Sequence, residues 1–164
     1  MTAEGHLYLS GFMAVGKSTV GLIVADSLSR PFVDLDHRIE RAAGRNIPAL
    51  FTEEGETGFR RRERQALQVV ASEPASVVAL GGGAMVDASN RALARQTGLL
   101  LTLTAQPETL RARMDTNHRP LASRMDELLI ARSDVYSDCD FQVATDGRTP
   151  AEVAEAVLNV VFAA

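Results

Sequence analysis

Gly11-Phe12-Met13-Ala14-Val15-Gly16-Lys17-Ser18 sets two glycines five positions apart and follows the second with an amine and a hydroxyl. Residues of these types at this spacing suit one kind of chemistry. The amides of a tightly curled loop converge on phosphate oxygens, and the glycines permit the curl. A helix N-terminus behind the loop adds roughly half a positive charge. Lys17 is then the amine that reaches the β and γ phosphates, and the Ser18 hydroxyl is a ligand for Mg2+. The pattern carries meaning only between a strand and a helix. Residues 7–10 read as a short apolar strand, and 17–28 place Val20, Ile23, Val24 and Leu28 on one helical stripe. Lys17 is the sole lysine among 17 basic residues, and an ordinary glycine-rich turn would not demand it there.

The loop supplies a phosphoryl donor, and three other clusters bear on the acceptor. Asp34-Leu35-Asp36 ends a segment, 31–36, that reads as a strand. Alternate residues of an extended chain point the same way, so both carboxylates would face one cleft. One could support Mg2+ through water and the other take a proton from an attacking hydroxyl. The competing use is a plain helix cap. In the helical stretch 55–72, Arg60 and Arg64 share a face and Glu56 precedes Arg60 by four, an ordinary stabilising pair, while Arg61 and Arg62 read as a solvated face. Gly81-Gly82-Gly83 directly follows the strand 77–80. Three glycines in a row cost backbone entropy, which suits a ligand pressing on the main chain, although a plain loop is also open.

The elements that must position these residues alternate. Strands are expected at 7–10, 31–36, 77–80, 99–103 and 141–144. Helices are expected at 17–28, 37–43, 47–51 (a short turn), 55–72, 87–96, from Pro107 onward, 124–137 and 150–162. Gly44 suits a left-handed helix end, Asp87 or Ser89 an N-cap, and Pro107 a first helical turn. Unbroken apolar strands alternating with helices predict an α/β fold with a parallel sheet covered on both faces.

A length of 164 residues predicts one domain with a core of its own. A net charge of −4 is a poor match to a nucleic-acid binder. The apolar runs are far shorter than a membrane span needs, and the opening residues show no basic region ahead of an apolar stretch. With Cys139 as the single cysteine, read as structural, these features lead us to expect a cytoplasmic protein without membrane or nucleic-acid partners. His6, His37 and His118 show no metal-ligand grouping and read as surface or loop residues.

In order along the chain, Gly11 to Gly21, Asp34 and Asp36, Phe51 to Glu63, Gly81-Gly82-Gly83-Ala84, Arg119-Pro120-Leu121, Arg132 with Tyr136, and Thr145-Asp146-Gly147 together resemble the shikimate kinase family. The resemblance implies a three-layer αβα P-loop kinase of nucleoside-monophosphate-kinase type, a five-stranded parallel sheet in the order 2-3-1-4-5, and a mobile lid over about 113–125. It implies transfer of the γ-phosphoryl group of ATP, with Mg2+, to the 3-hydroxyl of shikimate in aromatic amino-acid biosynthesis, by a monomer. Lys17, Asp36 as base and Arg119 in the lid would be catalytic. Ala14, Val15, Gly16, Lys17, Ser18 and Thr19 would hold phosphates, with Arg113, Arg119, Arg148 and Pro150 completing the nucleotide site. Ser18 and Asp34 would serve the metal. Asp36, Arg60, Arg132 and the Gly81, Gly82 and Gly83 loop would hold the substrate, guanidinium forks being suited to a carboxylate.

The chain departs from the family pattern in three places. Arg119 and Arg132 are only 13 positions apart, Arg-Pro-Leu is followed by Ala122, and Ser-Asp-Val follows Arg132. A shorter lid would exclude water less well or admit a related polyol. Two other functions therefore stand beside the first: a kinase of another small hydroxy acid such as gluconate, and a regulatory module that binds ATP without turning it over.

Overall fold

The computed structural model describes residues 4–114 and 124–164. Arg119, His118 and most of the 113–125 stretch expected as a lid lie outside the described residues.

Five parallel strands form one sheet: β1 (His6–Ser10), β2 (Phe32–Asp34), β3 (Val77–Ala79), β4 (Gly98–Thr104) and β5 (Phe141–Ala144), in the order β2-β3-β1-β4-β5. β1 lies at the centre, where Leu9 is in register with Ala79 of β3 and with Leu101 of β4. Successive side chains of a strand leave on opposite faces, and the core divides accordingly. Leu7, Leu9, Val77, Leu99, Leu101 and Leu103 pack on one face, Tyr8, Val78 and Leu100 on the other. The first face is covered by α1 (Lys17–Ser27) and α7 (Pro150–Ala163), which bring Val20, Val24, Val157 and Val161. The second is covered by α2 (Leu35–Ala43), α3 (Ile47–Ala71) and α4 (Ala88–Thr97), through Leu35, Ile39, Leu50, Leu67 and Ala94. Both faces being covered explains why the strands read as continuous apolar runs. A 3-10 turn (Ala84–Val86), α5 (Pro107–Arg113) and α6 (Met125–Ser137) complete the order. Among the described residues no helix is long and apolar enough to cross a membrane.

Several helix ends follow the local chemistry expected of them. Gly44 closes α2 at φ 68°, Asp87 caps α4 by accepting from the Ser89 N–H, and Pro107 opens α5. Thr149 and Glu152 form a reciprocal capping box at the start of α7.

Three expectations need correction. β2 stops at Asp34, and Asp36 lies in the first turn of α2, not on an extended strand. The reason is local: Asp34 Oδ1 accepts from the His37 N–H at 3.2 Å and starts the helix two residues early. The stretches 47–51 and 55–72 run together as α3, broken only at Gly55, whose φ of 70° and ψ of 179° suit glycine alone. Across that kink Arg62 grips Glu54 at 2.9 Å, and Arg45 pairs with Glu53. His6 is no surface residue; it sits 5% exposed in β1, where its Nδ1 accepts from the Ser76 N–H at 3.1 Å.

Candidate active site

The loop between β1 and α1 is held open by backbone geometry that few residues adopt. Gly11 and Gly16 have φ of 139° and 105°, and Ala14 joins them at 67°. A non-glycine residue in the left-handed region is strained, and strain of this kind gathers where a ligand is bound. Gly16 is the N-cap of α1 and offers no side-chain cap, so the first amides of that helix are presented to the hollow in front of them. Lys17 folds back over the loop, its Nζ donating to the carbonyls of Gly11 at 2.6 Å and Phe12 at 3.0 Å.

This loop forms one wall of a hollow of about 520 Å³. Ala14, Val15, Gly16, Lys17, Ser18 and Thr19 line it on one side, with Asp34, Asp36, Gly81 and Gly82 at its inner end. Arg113, Arg148 and Pro150 line the other end, so the predicted nucleotide residues within the described chain come together. Arg113 is tied there by Thr145, whose hydroxyl accepts from Nη1 at 3.1 Å. Ser18 donates to Asp34 Oδ2 at 3.0 Å while Oδ1 of the same carboxylate caps α2. Asp34 is therefore the helix cap that the sequence left open, and its other oxygen meets the Ser18 hydroxyl at the phosphate loop.

A second hollow, about 330 Å³, opens beyond Asp36. Arg60 and Glu63 of α3, Arg132 of α6 and the Gly81, Gly82 and Gly83 loop give it polar walls. Met13, Ile47, Pro48, Phe51 and Phe59 give it an apolar one. The rings of Phe51 and Phe59 lie 4.8 Å apart, and the Arg60 guanidinium sits 5.2 Å from the Phe59 centroid. Arg132 is only 5% exposed. A Cβ on Gly83 would stand 2.8 Å from Arg132 Nη2 and also collide with Arg60. The bare glycine is what lets two guanidinium groups meet. Asp36, Gly81 and Gly82 line both hollows, so a carboxylate stands at the passage between them.

Charge is concentrated at that passage. Among the described residues Asp36 Oδ1 and Glu63 Oε2 are buried without a hydrogen-bond partner, and a Cβ on Gly81 would meet both. Burial pushes the Asp36 carboxyl above the ordinary aspartate range, and the Asp34 charge adds to this against Lys17 and Arg60. Burial likewise raises Glu63 against the pull of its Arg60 partner. A carboxylate made more basic than usual beside an open cavity has the character of a general base.

Comparison with known proteins bears directly on this geometry. A family model described as "Shikimate kinase" matches residues 13–162. The chain belongs to the shikimate kinase family. A shikimate kinase of Symbiobacterium thermophilum is 39% identical over 164 aligned residues, covering 94% of each chain. One from Salinibacter ruber is 53% identical over 118 residues, which span 71% of this chain and 58% of that relative's length. Among solved structures, shikimate kinase from Acinetobacter baumannii in complex with shikimate superposes with a TM-score of 0.93 at 34% identity, covering 98% of this chain and 94% of that one.

Some residues of this family member's second hollow carry no role in the sequence reading. Glu63 stands three positions after Arg60 and pairs with it at 2.9 Å, but in a helix crowded with charges that spacing alone does not separate it from solvated neighbours. Glu40 accepts from the Ile47 N–H at 3.0 Å and so ties α2 to the start of α3. Phe51 and Phe59 become a wall only once the kink at Gly55 brings them together. The Glu56–Arg60 pair forms at 3.5 Å. Arg64 turns away, its Nη2 meeting Asp87 at 2.7 Å.

Proposed function

We propose that this chain transfers the γ-phosphoryl group of ATP to the 3-hydroxyl of shikimate, a step in aromatic amino-acid biosynthesis. The observation that carries the reading is the shared boundary of the two hollows: Asp36 and the Gly81-Gly82 main chain face both. A donor phosphate held in the first hollow would meet an acceptor hydroxyl held in the second at that carboxylate. The chain is read as one kinase domain, monomeric and cytoplasmic.

The residues divide the work as follows. The main chain of 14–19 cradles the β and γ phosphates, and Lys17 exchanges its loop carbonyls for phosphate oxygens. Arg113, Arg148 and Pro150 enclose the base end of the nucleotide. Arg60 and Arg132, with Gly82 and Gly83 beside them, take the acceptor's carboxylate, for which planar forks give bidentate geometry. Asp36 accepts the proton of the attacking hydroxyl, and the apolar Phe51 and Phe59 wall keeps water from that oxygen.

Ser18 and Asp34 fit Mg2+, being hard oxygen donors placed 3.0 Å apart at the phosphate end of the first hollow. Among the described residues no cluster of three or more His, Cys, Asp or Glu side chains could hold a metal, which suits an ion completed by substrate phosphates and water. When bound, Mg2+ neutralises charge developing on the transferred group.

The test is an ADP-release assay run with shikimate and with gluconate as acceptor. Turnover with shikimate alone is expected, because two convergent guanidiniums and an apolar aromatic wall suit a compact ring bearing a carboxylate. Turnover with gluconate alone would overturn the substrate, and acceptor-independent ATP binding without turnover with either would overturn the reaction.

A further inference from the structure

Tyr136 takes no part in the chemistry above, yet it touches the phosphate loop, the glycine loop and Arg132. It lies in α6 one turn after Arg132 and is 9% exposed. Its ring stands edge-on to Phe12 of the phosphate loop, with centroids 6.3 Å apart and planes at 86°. Its hydroxyl donates to the Gly82 carbonyl. Burial pushes the phenol above its ordinary range, against Arg132 and Arg60, so it stays a protonated donor near neutral pH.

A trans peptide is planar, and its carbonyl and N–H point in opposite directions. Holding the Gly82 carbonyl therefore sets the direction of the Gly83 N–H on the far side of the same plane. Glycines on both sides of that peptide leave it unusually free to rotate, and a tether has more to restrain here than elsewhere. Among the described residues the Gly83 N–H donates to no other group. Gly83 is also the residue against which the Arg60 and Arg132 guanidiniums converge.

We propose that Tyr136 is a positioning residue: its hydroxyl holds the Gly82–Gly83 peptide and so sets the aim of the glycine-loop amides that the substrate reading already places beside Arg60 and Arg132. This rests on the substrate reading given under Proposed function and adds to it the group that orients the glycine loop. The ring contact with Phe12 makes the same side chain a brace between the phosphate loop and the acceptor loop.

The Tyr136→Phe variant keeps the ring and removes the hydroxyl, and with it both the bond to the Gly82 carbonyl and the hydrogen bond with Arg132; amide exchange in the glycine loop separates the first from the second. KM for shikimate is expected to rise roughly fivefold, the effect of one neutral hydrogen bond, with kcat, KM for ATP and the melting temperature essentially unchanged. A rise in both KM values together with a lower melting temperature would make the residue a packing element and overturn the proposal, as would an unchanged KM for shikimate. Amide hydrogen exchange in the segment 81–84 of the unliganded enzyme gives a readout without turnover. Faster exchange in the variant is expected, and equal exchange overturns the tether. An enzyme that proved inactive on shikimate would sink the substrate reading while leaving this exchange result to stand or fall alone. Tyr136→Met, which lacks both ring and hydroxyl, must show at least the same rise in KM for shikimate and the same faster exchange, while its melting temperature falls with the lost ring contact. If neither variant folds, the hydroxyl is a folding element and the proposal fails.

Discussion

Arg60 Nη1 lies 2.9 Å from Glu63 Oε1, and Glu63 is 1% exposed where Arg60 keeps 24%. The pair supports the cation that the proposed reading sets on the acceptor: Glu63 holds the guanidinium, while Arg60 still lines the hollow shared with Arg132. Glu63→Ala is expected to lower stability by about 2 kcal/mol, less than a fully buried pair would cost because Arg60 is partly solvated. KM for shikimate should rise about tenfold as the fork loses its orientation, with ADP affinity unchanged. Urea unfolding and calorimetric titration with each ligand check the two halves separately.

Asp36 is costly to the fold, and the proposed reaction makes it the base. Its carboxyl is raised above the ordinary aspartate range, first by burial and then by the Asp34 charge. The folded state thus holds this proton more tightly than the unfolded state does, and stability falls as pH rises from the ordinary aspartate range through the raised one. Asp36→Asn removes that term, and should melt higher than the parent at neutral pH. The same change should lower kcat by about a thousandfold, within the range for a lost general base, while ATP still binds. A thermal melt paired with turnover separates the two effects; full turnover in the variant would show that Asp36 is not the base.

Gly83→Ala tests the convergence of the two guanidiniums. The new methyl would stand 2.8 Å from Arg132 Nη2 and press on Arg60, so both forks must shift. Weaker shikimate binding by about tenfold is expected, with nucleotide affinity unaltered because Gly83 does not line the first hollow. Titration with shikimate and, separately, with ADP measures both.

The phosphate loop was legible because its function is main-chain geometry, and glycines at fixed spacing declare such geometry in one dimension. The sheet was legible for a related reason: strands buried on both faces leave short apolar runs, and their length and the glycines and prolines that bound them separate them from helices. The placement of Asp36 was not, because Asp34 serves equally well as a strand end and as an N-cap, and the His37 N–H decides between them only in three dimensions. Glu63 was hidden differently. Arg60, Arg61, Arg62, Glu63 and Arg64 are all charged, and which of them face the hollow depends on the phase set by the kink at Gly55. Arg64 shares a helix face with Arg60 yet turns to Asp87, a partner 23 residues away that no local spacing reveals. The Phe51 and Phe59 wall arises from the same kink.

Asp87 offers a pH test away from both hollows. Hydrogen bonds from Ser89 and then from Arg64 lower its carboxyl from 3.8 to about 2. Its Oδ1 accepts from the Ser89 N–H at 2.8 Å as the cap of α4, and Oδ2 takes Arg64 Nη2 at 2.7 Å, joining α4 to α3. A folded pKa below the unfolded one stabilises above the ordinary range and is lost as pH falls from 3.8 toward about 2. The side chain is 29% exposed and paired with an arginine more exposed still, so screening reduces the contribution to about 1 kcal/mol. Asp87→Ala should therefore lower stability by about that amount at neutral pH and flatten the acid limb of the stability curve over this window, with kcat and both KM values unchanged. Urea midpoints measured across the window check it. A limb as steep in the variant as in the parent would show that other carboxylates carry the acid sensitivity of the fold.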